Sequence, residues 1–205
     1  MQKSALEIYN FLNEKNLLSD SPKYWWPNAG TFEVVVGAIL TQNTTWKNVE
    51  KSLGNLKGFL TLEAFCSLGE EELKNAIQPS GFYNQKAPRL LALAKNIHNE
   101  FGNFHFFQER VTREWLLMQK GIADESADAI LCYACFRDEM VVDSYTKRLL
   151  KLFSIEFKRY KEYKTFLEDS LKEAFRGKEI NLVYARFHGM IVEYNKRSPK
   201  LESLH

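Results

Sequence analysis

Residues 116–150 read LLMQKGIADESADAILCYACFRDEMVVDSYTKRLL, and two features of this stretch decide the fold. The first is a short loop, Lys120-Gly121-Ile122-Ala123-Asp124, between two helical patterns. Trp115, Leu116 and Leu117 belong to the first pattern, and Ala127, Ile130, Leu131, Ala134 and Cys135 form the apolar stripe of the second. Gly121 lets the chain reverse because it has no Cβ to clash. Asp124 stands where a cap for the second helix is expected. Such a loop presents backbone N–H groups and the positive end of a helix dipole, which suit a phosphate. It is equally the form of an ordinary αα-hairpin. The second feature is Asp143, eighteen residues after Glu125. The apolar run 140–142 delivers it, and a basic helix over 146–150 follows. Asp143 can serve as that helix's N-cap, or as a working carboxylate that the helix end keeps ionised.

Composition narrows the setting. A chain of 205 residues, 45% hydrophobic and 14% aromatic, can bury a sizeable core as one large or two small domains. A net charge of +2 does not by itself identify a partner, but its distribution is uneven. Residues 147–164 carry seven Lys or Arg against two Glu, and Lys196, Arg197 and Lys200 extend the basic character. That fits either a phosphate backbone or a solvated helix face. Three cysteines, Cys66, Cys132 and Cys135, point to a reducing compartment without structural disulfides. The Cys132–Cys135 pair falls inside a helical pattern and reads as core. With no long apolar run and no signal peptide, a soluble, intracellular protein is expected.

No strand alternation is sustained anywhere, so the fold class is all-α. Helices are expected over 4–17 (Leu6, Tyr9 and Leu12 or Leu17 inward), 31–40, 46–56, one or two over 62–77, then 90–101, 146–150, 163–176 and 180–196. Ser67-Leu68-Gly69-Glu70 has the form of a capping box. Phe82 and Tyr83 are expected to pack. Tyr24-Trp25-Trp26-Pro27 is unusual, because adjacent aromatics cannot share one helical stripe, and Pro27 biases Trp26 towards an extended conformation.

These motifs together resemble the helix-hairpin-helix DNA glycosylases, the endonuclease III-like superfamily. Gly121, Ile122, Ser126, Ala127, Val142, Asp143 and Ser144 match its hairpin and its V-D-[ST] element in type and spacing. Residues 77–87, ending in Lys86-Ala87, match a second segment, and 40–44 match its L-[ST]-[QA]-[QNT]-[TD] turn. Gln119-Lys120 replaces the family's Leu-Pro, and Ala123 replaces its second hairpin glycine. The resemblance implies two helical domains, 30–138 with the hairpin at about 116–134, and 1–29 with 139–205, and an active site in the cleft between them. It implies DNA contacts at Lys120, Gly121, Ala123 and Ser126, and Gln42 as the side chain that fills the gap left by a flipped base. Glu125 occupies the place of the nucleophilic lysine of lyase-type members, and a carboxylate there cannot form a Schiff base. Relatives with an iron–sulfur cluster carry four cysteines near the C-terminus, so no cluster and no metal are expected here.

The implied reaction is cleavage of a base–sugar bond. The base must leave the stack, at a cost of roughly a few kcal/mol, and Asp143 would face the exposed sugar. Stacking on indole contributes roughly 1–3 kcal/mol for any base and about 0.5–2 kcal/mol more for a cationic one. The WWPN segment, the Q-N-T turn and Arg186-Phe187-His188-Gly189 look like the 3-methyladenine glycosylase branch. A base pocket of Trp25, Trp26, Pro27, Trp46, His188 and Lys196 is therefore expected. The expected partner is double-stranded DNA containing a damaged base, met by a cytoplasmic, nucleoid-associated monomer with no membrane attachment. The rival readings are a lyase acting on oxidised pyrimidines and a DNA-binding module without catalysis.

Overall fold

A computed structural model of the chain describes residues 3–197, which hold twelve α-helices and no strand. Lys200 lies outside the described residues. The chain divides into two compact units, a central one formed by 28–135 and a terminal one formed by 1–27 with 136–205. It starts in the terminal unit with α1 (Ala5–Asn13). The central unit then supplies α2 (Phe32–Leu40), α3 (Trp46–Asn55), α4 (Leu62–Cys66), α5 (Glu70–Ile77), α6 (Tyr83–Phe101), α7 (Phe104–Arg110), α8 (Arg113–Leu117) and α9 (Asp124–Ala129). The terminal unit is completed by α10 (Ser144–Leu152), α11 (Tyr160–Ala174) and α12 (Ile180–Arg197). No helix among the described residues is long and apolar enough to cross a membrane.

In the terminal unit Ser4 and Glu7 close a capping box at the start of α1. At nine residues this helix is too short to persist alone. Its Ile8 and Leu12 are fully buried with Leu149 and Leu150 of α10, Leu167 and Leu171 of α11, and Tyr184, Phe187 and Ile191 of α12. Each such side chain contributes about 1.5–3 kcal/mol. The core therefore holds α1 in place, with Ile8 at its centre and Leu6 and Tyr9 at its margin.

In the central unit α2 reads FEVVVGAIL and is buried at every position but Glu33, as a helix apolar all round must be. Several local expectations change here. Ser67 ends α4, and Gly69 precedes α5, so Ser67 to Glu70 forms no capping box. The helix expected over 90–101 opens earlier, at Tyr83, and carries Pro88 inside it. Phe82 does not pack: it is 59% exposed, with a left-handed φ of +49°. Asp124 is the first residue of α9, and Ala123 precedes it as the cap residue without a side-chain hydrogen bond. The Asp124 carboxylate is drawn instead to Arg113. After α9 the helix widens into a π turn over Ile130–Ala134, where Cys135 N–H donates to Ile130 O. The displaced carbonyls are satisfied from elsewhere in the unit. Gly30 N–H donates to Tyr133 O at 2.8 Å, and Gln108 Nε2 donates to Ala134 O at 2.6 Å and to Gly30 O at 3.0 Å.

Candidate active site

Asp143 is delivered by an extended segment whose Met140, Val141 and Val142 are buried. Its side chain divides its work. Oδ1 caps α10, accepting from Thr146 N at 2.7 Å and Thr146 Oγ1 at 2.9 Å. Oδ2 faces His188 Nε2 at 3.3 Å, and the carboxylate keeps 14% of its surface exposed. Burial works against the charge. His188 and the two hydrogen bonds from Thr146 outweigh it, and the carboxyl titrates below its ordinary range. The cap and the working carboxylate are thus one group with two oxygens in different employment.

Trp25 stands beside this pair. Its ring meets the His188 imidazole edge to face at 5.4 Å, and Trp26, which is buried, at 6.2 Å. Trp25 has φ +68°, a conformation that costs a non-glycine residue about 1–2 kcal/mol. A series of contacts along α12 holds it there. Tyr24 Oη donates to Glu179 just before the helix, and Arg186 Nη1 donates to Lys23 O at 3.2 Å. Trp25 Nε1 donates to Glu193 Oε1 at 3.3 Å. Lys196 pairs with Glu193 at 3.0 Å and holds its ammonium 5.8 Å from the centre of the Trp25 ring. Gly189 lies under the ring: a Cβ there would come within 2.4 Å of Trp25 Cγ and 2.7 Å of Trp25 Cβ. Positions 186, 189, 193 and 196 share one face of a helix, which is therefore a track for the 23–26 segment. Pro27 ends that segment and the N-terminal part of the unit. Trp46, half-buried, belongs to the central unit as the first residue of α3.

The hairpin joins α8 to α9 within the central unit. Gly121 turns it with φ +90°, and Ala123 tolerates its place because its φ is −114°. Arg113 binds the start and middle of α9 together: its Nη2 donates to Asp124 Oδ1 at 2.6 Å, and its Nε to the fully buried Asp128 Oδ1 at 2.7 Å. Gln42 reaches the hairpin as well, Nε2 donating to Gly121 O and to Ser126 Oγ, both at 2.9 Å. Ser126 is buried, while Lys120 and Glu125 are exposed. Asn43, next to Gln42, is exposed at the tip of the α2–α3 turn with φ +54°.

A family model for HhH-GPD superfamily base excision DNA repair proteins matches residues 36–173. The chain belongs to that superfamily. A solved H. pylori 3-methyladenine DNA glycosylase, MagIII bound to 1,N6-ethenoadenine, shares 43% identity and a TM-score of 0.90 over 97% of this chain and 100% of that one. A Methanocaldococcus jannaschii relative, provisionally named a DNA repair glycosylase, is 39% identical over 88% of this chain and 83% of its own length. Endonuclease III trapped on DNA, at 18% identity and a TM-score of 0.71, shares the fold, with 98% of this chain and 90% of that one covered.

Three positions that shape these regions of this HhH-GPD protein were not legible in the sequence. Gly189 was visible only as part of a motif, because nothing local says which ring will lie on it. Arg113 lies before the hairpin, and its two carboxylate partners are recognisable only once α8 and α9 are paired. Lys86 stands out in the sequence only as part of the matching segment 77–87, but it is buried, its Nζ donating to Leu40 O at 2.8 Å and Ser80 O at 2.9 Å. It therefore fastens the end of α2, just before Gln42 and Asn43, to the turn that presents Phe82.

Proposed function

We propose that this protein is a monofunctional DNA glycosylase of base excision repair. It flips alkylated purines such as 3-methyladenine out of duplex DNA and hydrolyses their bond to the sugar. The observation that carries this reading is the Asp143 carboxylate, ionised, fixed by its cap, and turning its second oxygen towards His188 beside the Trp25 indole. The 43% identity to the H. pylori 3-methyladenine glycosylase supports the choice of substrate.

In this reading Trp25 and Pro27 offer the flipped base an apolar surface, and the buried Trp26 backs Trp25. A cationic base favours an indole face over water-facing positions. As the bond from C1′ to the base breaks, its electron pair passes to the base, which leaves neutral. No acid has to protonate a leaving group that already carries positive charge. Positive charge grows at C1′ and the ring oxygen, where Asp143 stabilises it. Water adds its oxygen to C1′ and gives up a proton, and Asp143 can accept that proton. His188 holds Oδ2 in place. The reaction requires neither metal nor iron–sulfur cluster, and one monomer suffices, acting on chromosomal DNA in the cytoplasm.

Duplex contacts are proposed at Lys120, Gly121, Ala123 and Ser126. Gln42 already spends both amide protons on the hairpin, so it braces that loop. Asn43 and Phe82, exposed on turns fastened together by Lys86, are the side chains best offered to a disrupted stack. Glu125 gives this chain no lysine for a Schiff base at that position, so the product is an intact abasic strand.

The test is base release from methylated duplex DNA, resolved by chromatography, for wild type and Asp143→Asn. Free 3-methyladenine from the wild type, with a loss of at least 100-fold in the variant, supports the reading. The asparagine retains an oxygen for the cap, so the variant stays folded. Release of uracil or oxidised pyrimidines but no methylated purine would sink the substrate assignment. A protein–DNA adduct trapped by borohydride would sink the monofunctional one.

A further inference from the structure

Gly121 has a neighbour that a phosphate-gripping turn does not require. Arg89, two turns into α6, lays its side chain across the glycine. A Cβ at Gly121 would stand 2.6 Å from Arg89 Cδ, 3.1 Å from Nε and 3.3 Å from Nη1. Any side chain at this position would drive the arginine away, quite apart from the strain imposed by φ +90°. Gly121 thus makes the turn possible and also makes room for a guanidinium on top of it.

That guanidinium is in an odd position for its type. Arg89 is half-buried, yet among the described residues no carboxylate pairs with it and no acceptor takes a hydrogen bond from it. Arginines withdrawn from water are ordinarily paired. Arg113, serving the same hairpin, shows the ordinary arrangement, with both Asp124 and Asp128 as partners. The local charge makes the contrast sharper. Asp124, Glu125 and Asp128 put three carboxylates into the first turns after the loop, while Arg113 and Lys120 supply only two cations. A phosphodiester approaching the loop's backbone amides would meet a surplus of negative charge unless a further cation stood there.

We propose that Arg89 is a phosphate ligand, its guanidinium held across Gly121 to take the non-bridging oxygens of the same DNA backbone that the hairpin grips. This rests on the reading of duplex DNA as the partner and adds to the binding site a residue from outside the hairpin. The planar fork of arginine suits two phosphate oxygens at once. Because the contact is to the backbone, it is indifferent to sequence and to damage.

The test uses the full-length protein and undamaged duplex. Binding is titrated against salt for wild type, Arg89→Gln and Arg89→Lys, with melting temperatures recorded for each. One phosphate contact contributes about 0.9 to the slope of log affinity against log salt. Arg89→Gln should lower affinity for damaged and undamaged duplex alike and flatten the slope by about that amount. Arg89→Lys should restore the slope with lower affinity than the wild type. On methylated DNA, Arg89→Gln should raise KM and leave kcat near the wild-type value. An unchanged slope in Arg89→Gln overturns the proposal, and a fall in melting temperature with that slope intact would mark Arg89 as a packing residue. A wild type that binds duplex with the expected slope but releases no base would instead remove the glycosylase reading and leave the Arg89 result standing.

Discussion

Asp143 is a half-buried charged side chain and Lys86 a buried one, and the sequence disclosed them to different degrees. The cap role of Asp143 was legible because an aspartate just before a basic helical pattern marks a helix start. Lys86 was visible as a match but not as a staple, since its acceptors, Leu40 O and Ser80 O, lie at other points along the chain. Burial pushes the Lys86 ammonium down to about 8, from 10.5 in an open chain. Between those values the unfolded chain binds a proton that the folded one has released, so Lys86 makes stability rise with pH across that window. The neutral amine still has two hydrogens for its two carbonyls. Lys86→Met strips both acceptors, and each buried orphan costs about 1–3 kcal/mol. Urea melts of the two proteins should therefore differ by about 2 kcal/mol or more at pH 7. The gap should widen towards pH 10. A gap that narrowed over the same range would contradict the depressed titration.

At the scale of elements, the periodic helices were readable and the departures from periodicity were not. The stripe 127, 130, 131, 134 and 135 is buried as expected, but it runs through a π turn. No residue type announces such a turn, because its cause is Gly30 and Gln108 waiting to take the displaced carbonyls. Asp124 looked like a cap and became a partner for Arg113, since a guanidinium outbids a backbone amide for a carboxylate. The α12 track is the clearest case of an element doing work invisible in its own pattern. Gly189 in a helix interior gives up about 1 kcal/mol relative to alanine, and what it gains is a bare surface for Trp25. Gly189→Ala should lower the melting temperature, because the new Cβ meets Cβ and Cγ of Trp25, and such overpacking costs about 1–3 kcal/mol against a gain of about 1 kcal/mol in the helix. Trp25 must then leave its seat. The tryptophan emission spectrum should shift, and release of 3-methyladenine should fall at least tenfold. An unchanged spectrum with full activity would show that Trp25 is not held by that glycine.

At the scale of the whole molecule, the proposed phosphate contacts and the proposed chemistry fall in two different units of the chain. The central unit is one continuous segment, 28–135, and contains α2, the hairpin, Gln42, Lys86 and Arg89. The terminal unit is assembled from both ends of the chain and contains Trp25, Asp143 and His188. All-α architecture and the hairpin could be read from periodicity and spacing. Which helix carries the seat for Trp25 could not, because 23–26 and 179–196 meet only after both ends of the chain have folded back. The central unit has its own core, with Val35, Phe65, Leu73, Ile77, Ala94 and Leu116 buried. A segment of that length can bury enough apolar surface to fold alone. Residues 28–135 expressed by themselves should give a helical circular dichroism spectrum and one cooperative urea transition. The fragment should bind undamaged duplex with a salt slope close to that of the full chain, because the hairpin, Lys120 and Arg89 are all present. It should release no base from methylated DNA, because Asp143 is absent. A fragment that folds but binds no duplex would move the phosphate contacts to the basic residues of α10 and α11. Base release by the fragment would take the chemistry away from Asp143.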